Sequence, residues 1–71
     1  MLTVEERRII RSRLPQGSGK EIAEIANVSR ISVSNWFAGK NNSEYIEDNV
    51  VKYAVKQEEK RKNRLRALGL L

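Results

Sequence analysis

Apolar residues recur along this chain at intervals of three and four residues, which is the spacing of amphipathic helices. No segment shows the strict alternation of apolar and polar residues that a half-buried strand requires. Proline, glycine and asparagine interrupt the pattern after Leu14, after Ala26 and after Ala38. The pattern therefore predicts an all-α protein, a small bundle of four or five helices.

The first two predicted helices begin at capping signals. Thr3 with Glu6, and Ser18 with Glu21, both have the spacing of a capping box. The first helix should end before Pro15, because the residue that precedes a proline disfavours helical geometry. The apolar residues that we expect these two helices to bury are Ile9, Ile10, Leu14, Ile22, Ala23, Ile25 and Ala26.

The third predicted helix follows a sharp turn. Asn27 tolerates the left-handed conformation that such a turn needs, and Ser29 is a good cap for the helix that follows. This helix should run from Arg30 to about Ala38, since Gly39 lies where a glycine commonly ends a helix. Its expected buried residues are Val33, Trp36 and Phe37.

A longer helical pattern fills the rest of the chain, with Asn42 or Ser43 as its cap. The residues that should close the core from one side of this helix are Ile46, Val50, Tyr53 and Ala54. Further along, the periodicity fades and cations dominate. We therefore expect one domain over residues 1–56 and a basic helical tail over residues 57–71 that frays from Leu65 onward.

Two short helices joined by a tight turn define a helix-turn-helix motif, and the residue types in this chain fit that motif. The motif needs a small residue where its two helices approach each other, and then a residue that makes the turn. Three apolar residues follow, which pack the second helix against the rest of the domain. This chain has such residues at offsets of 0, 4, 5, 10 and 13 residues. They are Ala23, Asn27, Val28, Val33 and Trp36.

The run KEIAEIANVSRISVSNWFAGK resembles the helix-turn-helix of the lambda repressor/Cro-like family. It is also similar to the headpiece of LacI-type repressors, in which V-S-x-x-T-V-S-x-x-L-N-G recurs. This chain departs from that pattern with Asn27 for the usual glycine, Ser32 for threonine and Trp36 for an aliphatic residue. The resemblance implies a lambda repressor-like fold that binds specific double-stranded DNA sequences, with the helix over residues 30–38 in the major groove.

The resemblance also implies which residues contact DNA. The base-contacting positions are Ser29, Arg30, Ile31, Ser34 and Asn35. The phosphate-contacting positions are Lys20, Ser32, Lys40 and Asn41. The side-chain chemistry agrees, because arginine can pair with guanine O6 and N7 and asparagine with adenine N6 and N7. The alternative is an exposed polar helix face that touches phosphates alone.

Composition narrows the function further. Fourteen Lys and Arg against nine Asp and Glu leave a net charge of +5, which favours a polyanionic partner. No cysteine or histidine is present, so we expect no disulfide, no zinc site and no enzyme, and nothing indicates a cofactor or a small-molecule ligand. The charged N-terminus predicts no secretory signal and no membrane partner, consistent with a cytoplasmic, nucleoid-associated regulator from a bacterium or a phage.

Several alternatives stay open at this point. The same fold could serve as a protein-interaction adaptor, with Ile31 and Phe37 as an exposed anchor. RNA binding is a third option, although the chain lacks the aromatic-bearing sheet that common RNA modules use. The basic tail could follow the duplex or simply be solvated. A homodimer on DNA is possible, because one recognition helix reads only a few base pairs. Its surface is unclear: Leu65, Leu68, Leu70 and Leu71 could associate, but the polar stretch between Lys56 and Arg64 argues against a continuous coiled coil.

Overall fold

The computed structural model describes all 71 residues and confirms an all-α fold with four helices and no strand. The helices are α1 (Val4–Arg13), α2 (Ser18–Ala26), α3 (Arg30–Phe37) and α4 (Glu44–Ala67). The first three helices are short, and α4 packs across α2 and α3 with its N-terminal half.

The capping box predicted for α1 is present. The Glu6 backbone N–H donates to Thr3 Oγ1 at 3.2 Å, and the Thr3 backbone N–H donates to a Glu6 carboxylate oxygen at 2.9 Å. These hydrogen bonds to Thr3 hold the pKa of Glu6 below its ordinary value. At the other end, Leu14 has extended geometry next to Pro15, so α1 ends where the proline requires.

The capping box predicted for α2 is wrong. Gly17 is the N-cap, with φ +86°, and Ser18 is already the first helical residue. The Ser18 hydroxyl turns back and donates to the Pro15 carbonyl at 2.6 Å, so it is not free to cap the helix. Glu21 instead accepts a hydrogen bond from the hydroxyl of Tyr53 in α4. A left-handed glycine thus makes this turn where a side-chain cap was expected.

Trp36 is the centre of the core and is completely buried. The other buried apolar residues around it are Ile22, Ala23, Val33, Phe37, Ile46, Val50 and Tyr53. Two isoleucines that were expected in the core are instead exposed, Ile9 to 52% and Ile25 to 65%. Each lies roughly a quarter turn away from the side of its helix that faces the core, because consecutive helical residues are about 100° apart.

The last helix extends well beyond the core. Tyr53 is its last buried residue, and α4 continues for 14 more residues to Ala67. Its end is closed by a left-handed glycine, Gly69, with the Leu70 N–H donating to the Leu65 carbonyl at 2.8 Å. Ser43 caps the start of α4 by accepting from the Ile46 N–H.

Candidate nucleic-acid interface

The turn between α2 and α3 depends on one left-handed residue. Asn27 has φ +57° and ψ +47°, which confirms the left-handed conformation predicted for this residue. The Val28 N–H then donates to the Ala23 carbonyl at 3.0 Å, which closes the end of α2. Ala23 is buried, and Val28 is partly buried against the core. The small Ala23 side chain lets α2 and α3 pack closely, since the turn leaves little room between them.

The packing of α3 decides which of its residues face solvent. Val33, Trp36 and Phe37 face the core and are each no more than 5% exposed. The opposite side carries the predicted base-contacting residues together: Ser29, Arg30, Ile31 and Ser34 are exposed, and Asn35 is half-buried at its edge. The Ile31 side chain is 72% exposed, so it does not contribute to the core.

Two hydroxyls at the start of α3 form a coupled pair. Ser29 Oγ accepts from the Ser32 backbone N–H at 3.0 Å, which caps the helix. The two side-chain oxygens lie 2.9 Å apart, so one hydroxyl donates to the other. One of the two protons remains free to donate outward. The pair therefore retains one donor and unused lone pairs at the N-terminus of α3, where the helix dipole favours an anion.

A buried arginine, Arg7 in α1, holds the C-terminal end of α3. Its side chain is only 2% exposed, and its guanidinium stacks over the Trp36 ring at 4.6 Å. The guanidinium donates hydrogen bonds of 2.9–3.1 Å to the carbonyls of Leu2, Trp36 and Asn41 and to Oδ1 of Asn42. No carboxylate pairs with it. The carbonyl dipoles at the end of α3 therefore provide the compensating negative potential.

The loop after α3 is also fixed from within the protein. Asn41, predicted to contact phosphate, donates from Nδ2 to the Ser32 carbonyl at 3.0 Å and accepts from the Ser43 N–H at 3.2 Å. Its side chain thus ties the loop to α3. Lys40, just before it, is exposed, and its backbone N–H donates to the Asn35 carbonyl at 2.8 Å. The exposed Lys40 side chain therefore extends from a loop whose backbone is held in place.

Three cations border an open groove beside the exposed side of α3. Arg11 comes from the end of α1, Lys20 from the first turn of α2 and Arg30 from the first turn of α3. The Arg11 guanidinium lies 5.4 Å from the centre of the Phe37 ring, a cation–π distance that orients it. No acidic residue lines the groove. The side of the protein that carries the predicted DNA contacts is thus also positively charged.

Two tyrosines of α4 hold α2 in place. Tyr45 donates to the Ala26 carbonyl at 2.7 Å, at the end of α2, and Tyr53 donates to the Glu21 carboxylate near its start. Burial and the hydrogen bond to Glu21 raise the pKa of Tyr53. The position of α2, and hence of the turn that leads into α3, is therefore set from both of its ends.

Sequence reasoning missed Arg7 and Arg11. Arg7 is spaced three and seven residues before Ile10 and Leu14, so it lies on the core side of α1, in the place that was given to Ile9. That spacing could have identified it as the residue that faces the core. Arg11 lies in the last turn of α1, where a cation is favoured by the helix dipole alone. Nothing in the sequence alone indicates that it contacts Phe37.

Compared with known proteins, the chain matches no family model, no curated protein and no solved structure. None of the four helices combines the length and the apolar character needed to cross a membrane. No group of three or more acidic, histidine or cysteine residues is arranged to hold a metal ion.

Proposed function

We propose that this protein binds specific sequences in double-stranded DNA and regulates transcription, with α3 lying in the major groove. The observation that carries the proposal is the exposed side of α3, where a guanidinium, a hydroxyl, an amide and an apolar side chain lie together on Arg30, Ser34, Asn35 and Ile31. These are the groups that read base edges: guanine, adenine and the thymine methyl. No carboxylate on α3 opposes the approach of phosphates.

The charges next to α3 support the same proposal. Arg11 and Lys20 border the groove on one side of the helix, and Lys40 follows its C-terminal end. Phosphate contacts of this kind fix the register of a protein on the duplex, while base contacts give it specificity. The rigid attachment of α3 at both ends favours such a role, since a reading helix must hold its side chains in a fixed geometry.

The resemblance to the lambda repressor/Cro-like family belongs to this proposal as well. A helix pair with a left-handed residue at the turn, an N-terminal helix beside it and a long helix across it is the arrangement that the resemblance implies. A protein with this function would act on the nucleoid or on a phage or plasmid genome.

Only one of the two residues that could anchor a protein partner, Ile31 and Phe37, is exposed. Phe37 is 5% exposed and lies within the core, so it is not available to a protein partner. Ile31 remains exposed, but a single side chain is a small contact for a stable interface. An isoleucine on the reading side of a helix is equally suited to a thymine methyl, and the DNA proposal therefore accounts for the exposure of Ile31.

The proposal is tested by titrating the protein into a pool of randomised duplex DNA at two salt concentrations and sequencing the bound molecules. We expect enrichment of a short site and affinity that falls steeply with salt, because each neutralised phosphate contributes a slope of about −0.9 in a log–log plot. Binding without sequence enrichment would contradict specific reading by α3. No binding at low salt would overturn the proposal altogether and favour a protein partner.

A further inference from the structure

The projecting half of α4 has no partner within the chain. Residues 54–67 follow the last buried residue, yet they continue one uninterrupted helix. A helical segment of this length is marginal in water unless another surface packs against it. Val51 and Val55, near the start of this segment, are 39% and 52% exposed. This part of α4 therefore presents a side that is suited to a further contact.

One side of the segment has the spacing of a coiled-coil seam. Positions separated by 4, 3, 4 and 3 residues fall on the same side of α4, as the a and d positions of a heptad repeat do. We call this set the α4 seam; it consists of Val51, Val55, Glu58, Lys62 and Leu65. None of these residues is buried in the monomer.

The residue types along the α4 seam are complementary to those of a second copy that runs in the opposite direction. In an antiparallel pair centred on position 60, Val55 lies opposite Leu65, and Glu58 lies opposite Lys62. Val55 and Leu65 then form an apolar contact, and the Glu58 carboxylate meets the Lys62 ammonium group, whereas Val51 lies opposite position 69, beyond the end of α4. A parallel pair would instead place each Glu58 beside its own copy and each Lys62 beside its own copy, which is unfavourable.

We propose that the C-terminal half of α4 pairs in an antiparallel manner with the same segment of a second copy of this chain, through the α4 seam. The occupant is a second copy because the complementarity of charge and apolar residues is with the seam itself. A pair of this kind is an isologous contact with two-fold symmetry.

The surface next to the seam has room for the second helix. An open groove of about 1060 Å³ lies between α4 and the end of α1. Ile10, Leu14 and Pro15 line its α1 side, and Val55 and Glu58 of the seam line its α4 side. A helix that packs on the seam would also cover the remaining exposed surface of Ile10 and Leu14, which are already partly buried against the core.

The pairing does not depend on DNA, but it has a consequence that rests on the proposed function. A two-fold symmetric dimer presents two copies of α3, and such a protein binds two half-sites related by the same symmetry. Enrichment of a palindromic site is therefore expected. The dimer itself is measured without DNA, so failure of this inference and failure of the DNA proposal are distinguishable.

Disulfide trapping tests the register directly, because the chain has no cysteine of its own. Val55→Cys and Leu65→Cys proteins, oxidised as an equimolar mixture, should give a cross-linked heterodimer. Each variant alone should give little cross-linked product, because the two copies of position 55 lie about 15 Å apart in this register. Efficient cross-linking of Val55→Cys alone would indicate a parallel pair and overturn the proposal. Equal cross-linking in all samples would indicate random collision and also overturn it.

A charge exchange provides the second test, with sedimentation measuring dimer dissociation. Glu58→Lys and Lys62→Glu should each weaken the dimer by about tenfold or more, because both symmetric contacts become repulsive. The double variant should restore it. Lys56→Glu is the matched control, since it makes the same change on the opposite side of α4 and should leave dissociation unchanged. A dimer that does not respond to the single changes, or a chain that stays monomeric throughout, would contradict the antiparallel seam.

Discussion

The buried guanidinium of Arg7 gives the sharpest prediction about stability. Replacement by alanine removes four hydrogen bonds and the stacking contact with Trp36. The Asn41 carbonyl then loses the side chain that binds it. We expect the attachment of α3 to α1 and to the loop that follows to weaken, with the Arg11–Phe37 contact and the Asn41–Ser32 hydrogen bond left to hold these elements together.

The expected change in the free energy of unfolding is the balance between lost hydrogen bonds and a relieved desolvation penalty. A hydrogen bond from a charged group contributes about 1.5–3 kcal/mol, so four bonds give an upper limit of roughly 6–12 kcal/mol. Burying an arginine opposes this with a desolvation penalty of several kcal/mol, which the alanine variant avoids. A net loss of about 3 kcal/mol remains. The whole domain of 71 residues has a stability of only roughly 4–11 kcal/mol, so Arg7→Ala should lower the melting temperature by about 12–24 °C.

Urea and thermal unfolding followed by circular dichroism measure this loss, and the neighbouring residue provides the control. Arg8 is exposed and lies 3.7 Å from Glu5 in a solvent-accessible ion pair, so Arg8→Ala should change stability by less than about 0.5 kcal/mol. Arg7→Lys keeps the charge but loses the planar guanidinium that binds several acceptors at once. Its stability should therefore lie between those of Arg7→Ala and Arg8→Ala. Equal unfolding midpoints for Arg7→Ala and Arg8→Ala would refute the structural role of the buried guanidinium.

Three further changes test the packing by the same unfolding measurements. Ala23→Leu should destabilise the fold by about 1–3 kcal/mol through overpacking between α2 and α3, and an unchanged midpoint would contradict their close contact. Gly39→Ala should destabilise it because φ is +79° and the added Cβ would lie 2.6 Å from Cγ2 of Val4; full stability would disprove this approach. Tyr53 has a raised pKa, so its neutral form stabilises the fold below about pH 10, and this contribution is lost as pH rises toward the folded-state pKa. Tyr53→Phe should show a weaker loss of stability in that alkaline range, and identical pH profiles would contradict the raised pKa that burial and the hydrogen bond to Glu21 give Tyr53.

Much of the fold could be predicted from the sequence because its signals are local. Thr3, Ser29 and Ser43 cap their helices as expected, and Asn27 makes the turn between α2 and α3. Such signals depend on residues only three or four positions apart, so they need no contact with distant parts of the chain. The wrong prediction of a capping box at Ser18 also has a local cause, because its hydroxyl donates to the Pro15 carbonyl three residues earlier.

The missed features depend on contacts between distant parts of the chain. Arg7 binds atoms 29–35 residues away, and only the folded structure shows that carbonyls and Trp36 surround its charge. Ile9 and Ile25 were placed in the core because hydrophobicity was given more weight than position on the helix. The exposed side of α3 could be predicted, since three buried apolar residues leave only one side of a short helix for the polar ones.

The proposed reading of bases by α3 is tested most directly by comparing two alanine variants on the selected DNA site and on a scrambled duplex. Arg30 lies on the exposed side of α3 and Lys40 in the loop that follows it. Arg30→Ala should lose about 1–3 kcal/mol of binding free energy on the selected site and relax the preference at one base pair. Lys40→Ala should weaken binding to both duplexes by the same factor. A uniform loss on both duplexes for both variants would contradict base reading by α3.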